Sequence, residues 1–182
     1  MHLIRHPDEY RTGTRVLMLR GRHKDGIEHT RSFERISHCV EQFNQVLIEF
    51  ATMAQPGERI YAYAGARSMP KAIREFKRRQ LDADHDDDPQ RFYRCLQDRW
   101  ISVLMASTSQ AEKLWLFDCD SADDANRALG ELREHYSHPE RPYWYQTKSG
   151  IHIITRPFNR TPISRHVRKL IHANPIMLWG FN

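Results

Sequence analysis

Two aspartates separated by one residue, Asp118 and Asp120, are the side chains in this sequence best suited to chemistry. They close a run of bulky apolar residues, Leu114 to Phe117, which predicts a buried strand. Alternate side chains of a strand point to the same face, so the two carboxylates share a face while Cys119 points inward. Mg²⁺ and Mn²⁺ prefer oxygen ligands, and one or two carboxylates commonly hold them beside phosphates and water. The spacing therefore predicts a site for a divalent cation.

A predicted β-hairpin follows and carries a second set of polar residues. Residues 143–147 and 151–155 are rich in β-forming residues, and Lys148-Ser149-Gly150 between them predicts a tight turn with glycine in the left-handed conformation. His152 lies just past that turn. If the hairpin pairs beside the first strand, His152 and Lys148 approach the aspartates from the facing edge.

The two segments, LWLFDCD and KSGIHII, resemble the catalytic core of the archaeo-eukaryotic primase superfamily. That family carries a hydrophobic strand ending in Asp-x-Asp and a Ser-x-His-like motif on a following strand. The resemblance covers residues 113–158 and implies an α/β (α+β) fold related to RNA-recognition domains. It also implies that Asp118, Asp120 and His152 are catalytic, that the two aspartates bind Mg²⁺ or Mn²⁺, and that Lys148, Ser149 and His152 contact nucleotide phosphate. The alternative interpretation is structural, with Asp-x-Asp ending a strand at a solvated helix cap and His152 an ordinary strand histidine.

The sequence departs from the family in one respect, the third carboxylate that normally lies on a later strand. No Asp or Glu follows Glu140, and only the neutral Asn174 precedes the last predicted strand. Two close divalent ions repel each other, so a missing carboxylate weakens the second ion most. We therefore expect at most one tightly bound cation and weak or absent primer synthesis. The acids that could supply the third carboxylate are Glu112, Asp123, Asp124 and those of the loop from Asp82 to Asp88.

Positive charge is concentrated near the end of the chain. The net charge is +5, yet residues 141–182 hold seven Lys or Arg and no acid, so the rest of the chain sums to −2. The same segment contains Tyr143, Trp144, Tyr145 and Phe158. Cations neutralise phosphates and aromatic faces stack on bases, so this composition predicts nucleic acid or nucleoside triphosphates as partners. The alternative is a solvated basic surface without a specific ligand.

Two arginines are further phosphate-binding candidates. Arg67 follows a predicted strand, residues 59–65, and precedes a helix that Ser68 can cap, an arrangement that suits an anion at the helix N-terminus. The segment lacks P-loop spacing, and a salt bridge from Arg67 to the acidic loop after that helix is the alternative. Arg156 follows the second hairpin strand and flanks the same predicted site.

Length and composition set the broader expectations. A chain of 182 residues predicts one domain, with residues 1–14 loosely held and one sheet carrying helices chiefly on one face. Hydrophobic periodicity predicts a helix from Ser32 to about Phe50. The three cysteines are few and widely spaced, which favours a cytoplasmic protein without disulfides or a zinc ribbon, and no apolar run is long enough to span a membrane.

Three functions are compatible with these features. The first is metal-dependent nucleotidyl or phosphoryl transfer of the primase type. The second is a non-catalytic binder of nucleic acid or nucleotides, such as an accessory protein of a virus or mobile element, which predicts salt-sensitive binding that needs no metal. The third is a metal-dependent nuclease, because Asp-x-Asp does not distinguish making a phosphodiester from breaking one.

Overall fold

The computed structural model describes residues 1–21, 32–84, 90–173 and 175–181. They form two compact units, Met1–Glu112 with Met177–Asn182 (unit 1) and Lys113–Ile176 (unit 2). The α+β class is confirmed. The single sheet that we expected is instead two sheets, one in each unit, and the last strand belongs to the sheet of unit 1. The predicted motif-bearing core, residues 113–158, lies within unit 2.

The strands are, in chain order, β1 (His2–Leu3), β2 (Arg15–Gly21), β3 (Ser32–Ser37), β4 (Glu58–Tyr63), β5 (Trp115–Cys119), β6 (Tyr143–Gln146), β7 (Ile151–Thr155), β8 (Ile171–Ala173) and β9 (Ile176–Phe181). The helices are α1 (Val40–Met53), α2 (Met69–Asp84), α3 (Gln90–Arg94), α4 (Leu96–Met105), α5 (Ala122–His135) and α6 (Arg165–Lys169). None of these helices is long and apolar enough to cross a bilayer.

Unit 1 is built on a five-stranded sheet in the order β1-β9-β4-β2-β3. Strand β2 is an interior strand that pairs antiparallel with both β3 and β4, and its residues 16–19 are at most 1% exposed. Helix α1 packs against this sheet with Phe43 and Phe50 fully buried. Trp179 of β9 packs against Phe43 with tilted rings whose centroids are 4.5 Å apart. The final apolar strand is thus part of the core of unit 1.

Two expectations concern unit 1. Within residues 1–14, which we expected to be loosely held, β1 pairs with β9, and His6 Nε2 lies 2.8 Å from the carbonyl oxygen of Leu178. The helix expected from Ser32 begins only at Val40. Residues 32–37 form β3 instead, since pairing with β2 along their whole length satisfies the backbone groups that a first helical turn would leave open.

Unit 2 is a four-stranded sheet in the order β6-β7-β5-β8, with each neighbouring pair antiparallel. Helices α5 and α6 share one buried cluster with the sheet residues Phe117, Cys119 and Ile153. We call this side of the sheet the helix face. The residues that alternate with these, Asp118, His152 and Tyr145, define the opposite side, which we call the Asp118 face.

Some predicted features fall outside the described residues. They are Asn174 and the part of the acidic loop from residue 85 to residue 89. Asp82 and Asp84 are described, and both belong to the C-terminal end of α2 rather than to a loop. Cys39, Cys95 and Cys119 are all described and are free thiols.

Candidate functional site

Asp118 and His152 face each other across two neighbouring strands. β5 and β7 pair antiparallel with Asp118 directly opposite His152, so the predicted pairing of the hairpin with the first strand is confirmed. His152 Nε2 lies 3.0 Å from Asp118 Oδ1. The Asp118 side chain is 48% exposed and that of His152 is 16% exposed. One carboxylate oxygen therefore contacts the imidazole while much of the side chain stays open to solvent.

Tyr145 extends this pair by one more strand. It lies opposite His152 on β6, and its hydroxyl is 2.7 Å from His152 Nδ1. Tyr145 is buried, and its ring meets the imidazole edge-on with centroids 5.1 Å apart. Both nitrogens of His152 are thus occupied, one by a phenol and the other by a carboxylate. Such partners fix the orientation and the tautomer of an imidazole.

Sequence reasoning missed Tyr145, although the hairpin contains the signal that finds it. Once the turn is centred on residues 148–149, Gln146 pairs with Ile151 and Tyr145 pairs with His152. Residues that pair in an antiparallel hairpin project to the same face. The position of the turn therefore predicts that a tyrosine lies beside the histidine.

The turn itself lies against the Asp-x-Asp segment. A Cβ added to Gly150 would fall far inside contact distance of the Cys119 carbonyl oxygen and 3.2 Å from Asp120 Cα. The left-handed conformation expected for Gly150 is wrong, because the described glycines with positive φ are Gly13 and Gly57. Glycine is needed here for close approach between two strands rather than for an unusual φ. The turn closes through a 2.8 Å hydrogen bond from the Thr147 N–H to the Gly150 carbonyl.

The side chains at this end of the sheet are exposed and of both charges. Asp120, Lys148 and Ser149 are all exposed, and the Gly150 contact sets the turn beside Asp120. The structure therefore places five predicted site residues at one end of the sheet of unit 2, namely Asp118, Asp120, Lys148, Ser149 and His152. Their roles in binding or catalysis stay predictions.

The carboxylates act electrostatically on a buried neighbour, Cys119. This residue is fully buried on the helix face. Burial raises the pKa of its thiol to about 12, and the negative charges of Asp124, Asp118 and Asp120 add to that rise. The three carboxylates therefore lie close enough to the thiol to influence its ionisation.

The donor set fits Mg²⁺ or Mn²⁺ better than a metal that needs a closed cage of protein ligands. Asp118 and Asp120 supply carboxylate oxygens at the end of β5, and both are solvent-accessible. Within the described part of the chain, no group of three or more His, Cys, Asp or Glu side chains is placed to share one ion. Two carboxylates with room for phosphate and water match the habits of these hard cations.

Asp124, one of the acids that could supply the third carboxylate, already has two side-chain partners. Its Oδ1 lies 2.6 Å from His166 Nε2, and its Oδ2 accepts a 2.8 Å hydrogen bond from the Ser121 hydroxyl. The contact with His166 is the main reason that the pKa of Asp124 lies below its usual value, and the Ser121 bond adds to it. These contacts fasten α6 to the first turn of α5. Glu112, another of these acids, belongs to unit 1.

The two arginine candidates are engaged by other side chains. Arg156 follows the far end of β7 and binds Glu140 through two contacts, from Nε at 2.8 Å and from Nη2 at 3.3 Å. Arg67 belongs to unit 1 and is 3% exposed. Its guanidinium stacks over the Tyr63 ring at 3.9 Å, and burial lowers its pKa to about 10. The Arg67 side chain is thus a packed part of unit 1.

Comparisons with protein-family models, with curated proteins and with solved structures found no match to this chain.

Proposed function

We propose that unit 2 binds the phosphates of a nucleotide or nucleic acid through a divalent cation held by Asp118 and Asp120, in the manner of a primase-like protein. The observation that carries this proposal is the row Asp118, His152 and Tyr145 across three strands. Buried polar side chains in a sheet cost free energy unless they are paired. A carboxylate that is supported by an imidazole and a phenol, yet half exposed itself, is typical of a metal ligand with an oriented support.

Each residue has a distinct task in this proposal. Asp118 and Asp120 hold Mg²⁺ or Mn²⁺, and the cation neutralises charge on the phosphates. His152 holds Asp118 in place through Oδ1, and Tyr145 fixes the His152 ring. Lys148 supplies a mobile positive charge to a phosphate from the adjoining turn, and Ser149 supplies a hydroxyl there.

Binding is the activity that these residues support best. Phosphoryl transfer between nucleotides depends on dense charge neutralisation around the reacting phosphate, which two-metal sites provide. The carboxylates at the end of β5 amount to two, and Asp124 is committed to His166 and Ser121. We expect one cation per site and weak or absent primer extension. Nucleotidyl transfer and nuclease activity are the catalytic alternatives.

Isothermal titration calorimetry tests the metal site. Mn²⁺ is titrated into the protein with and without a nucleoside triphosphate, and we expect saturable binding near one ion per chain that is stronger with the nucleotide. Asp118→Asn and Asp120→Asn should lose this heat. Glu134→Gln, which removes an exposed carboxylate from α5 without touching the site, is the matched control and should bind like the wild type. Equal heats in the wild type and Asp118→Asn would refute the proposal.

Activity assays separate the three functions. Template-dependent extension and degradation of end-labelled DNA and RNA are followed with Mn²⁺ and with EDTA. Binding without turnover supports the proposal as stated. Robust extension that disappears in Asp118→Asn would show that the expectation from the missing third carboxylate is wrong, and Asp118-dependent degradation would identify a nuclease.

A further inference from the structure

Unit 2 contains a cavity of about 500 Å³ on its helix face. It lies between the C-terminal half of α5 and the strand β6, and its lining includes Leu129, Arg133, Tyr136, Arg141 and Trp144. This volume is in the range of sites that hold small organic groups. The cavity combines an apolar floor, aromatic rings and two cations, which is an unusual set for a surface depression without a ligand.

Trp144 is the most exposed large aromatic side chain of unit 2 among the described residues, with 56% of its surface accessible. On β6 it lies opposite Ile153, whose side chain belongs to the buried cluster of the helix face. Trp144 therefore projects to the side of the sheet opposite Asp118, His152 and Tyr145. An exposed indole at the rim of a cavity offers a flat surface on which a planar ring can stack.

Two arginines that precede this indole in sequence line the same cavity. Arg133 and Arg141 are exposed, and within the described part of the chain neither guanidinium has a hydrogen bond or an ion pair. The nearest acid in sequence to Arg141, Glu140, is bound by Arg156, and this contact lowers the pKa of that carboxyl. Both cations are therefore available to an anionic ligand.

We propose that this cavity, which we call the Trp144 groove, binds single-stranded nucleic acid. One base stacks on Trp144 and enters the cavity, and the neighbouring phosphates contact Arg133 and Arg141. A single strand is favoured over a duplex because the base has to leave its stack to enter the cavity. A strand is favoured over an acidic peptide because the groove pairs its cations with an aromatic platform, which a carboxylate-rich chain would leave unused.

This inference goes beyond the proposed function, because the Trp144 groove lies on the opposite face of the sheet and uses no metal ion. Fluorescence anisotropy with a labelled 15-nucleotide oligothymidine in EDTA measures it without the metal site. We expect Trp144→Ala to weaken binding roughly 5- to 150-fold, the range that loss of one base-stacking partner produces. Arg133→Ala/Arg141→Ala should weaken binding and reduce the salt dependence of the affinity by about two phosphate contacts.

Matched controls make the outcomes decisive. Arg165→Ala removes an exposed arginine of unit 2 that does not line the cavity, and this variant should bind the oligonucleotide within about twofold of the wild type. Circular dichroism checks that each variant is folded, and Trp144→Phe should retain part of the affinity. Wild-type binding by folded Trp144→Ala would overturn the proposal. So would equal losses in Arg165→Ala and in an Arg141→Ala single variant, or competition by polyglutamate as strong as by unlabelled oligonucleotide.

Discussion

Replacing Gly150 by alanine tests the geometry on which the candidate site depends. The added methyl group would overlap the Cys119 carbonyl oxygen, and both atoms belong to the backbone or are fixed directly to it. No side-chain rotation can relieve this overlap. The turn and the end of β5 would have to move apart by about 1 Å to restore ordinary contact distance.

A displacement of that size has a predictable cost. Strand hydrogen bonds of about 2.9 Å would lengthen beyond the range in which they count as bonds, so the last pairing between β5 and β7 is weakened or lost. Overpacking of this kind costs about 1–3 kcal/mol of the free energy of unfolding. With a urea m-value of about 2 kcal/mol per molar, the midpoint of unfolding should fall by about 0.5–1.5 M.

The chain offers a matched control in Gly130. This residue lies within α5, and a Cβ added there meets no atom within 4 Å. Alanine is a better helix former than glycine by about 0.8–1 kcal/mol, so Gly130→Ala should raise the urea midpoint. The two Gly→Ala changes are therefore expected to have opposite signs.

The assay is urea unfolding followed by circular dichroism, with Mn²⁺ titration of the folded variants. We expect Gly150→Ala to lose both stability and Mn²⁺ affinity. If its midpoint equals or exceeds that of the wild type, the turn does not lie against Cys119 and Asp120. The argument that places Lys148 and Ser149 beside the aspartates would then fail.

Three further predictions use other parts of the chain. Because the pKa of Cys119 is raised to about 12, its thiol stays protonated in the folded state at pH values above its unfolded pKa of about 9. The free energy of unfolding should therefore fall as the pH rises from 9 towards 12, and it should fall less in Cys119→Ala. Iodoacetamide at pH 8.5 should label the exposed Cys95 but not Cys119. Ser121→Ala removes the N-cap of α5 and should lower the free energy of unfolding by about 0.5–2 kcal/mol. Ser121→Asn, whose side chain can still cap the helix, should lower it little. Equal urea midpoints for the two variants would contradict the capping role of Ser121. Arg67→Met should lower the free energy of unfolding by about 1–2 kcal/mol, because the contact with Tyr63 is lost. The nucleotide affinity of the folded variant should stay unchanged. A selective loss of nucleotide affinity would instead support the phosphate-binding role predicted from the sequence.

The local parts of unit 2 could be predicted because their signals are local. The strand before Asp118, the Ser121 cap and the hairpin after Tyr143 each depend on residues close in sequence, and all three are present. The pairing of Asp118 with His152 followed once the hairpin was placed beside that strand. Tyr145 was missed because its hydrogen bond depends on the register of the hairpin, not on any motif.

The division into two sheets could not be predicted in the same way. β9 pairs with β1, so His2 lies opposite Phe181 at the other end of the chain, and no local pattern specifies that choice. The segment from Ser32 to Ser37 shows the opposite difficulty. Phe33 and Ile36 are three residues apart, which suits a helix, but hydrogen bonding to β2 outweighed that periodicity.

The return of β9 to unit 1 has a consequence for how the chain matures during synthesis. Unit 2 is a continuous segment that is complete once Ile176 has been made, whereas the sheet of unit 1 also needs residues 177–181. On the ribosome, the domain that begins first is therefore the one that is finished last. Until Trp179 reaches Phe43 and Leu178 reaches His6, the nascent unit 1 lacks the strand between β1 and β4 and keeps open the site that this strand will fill. Synthesis at about 5–20 residues per second makes that interval several seconds long, and it is the period in which a nascent chain is most exposed to chaperones and to aggregation.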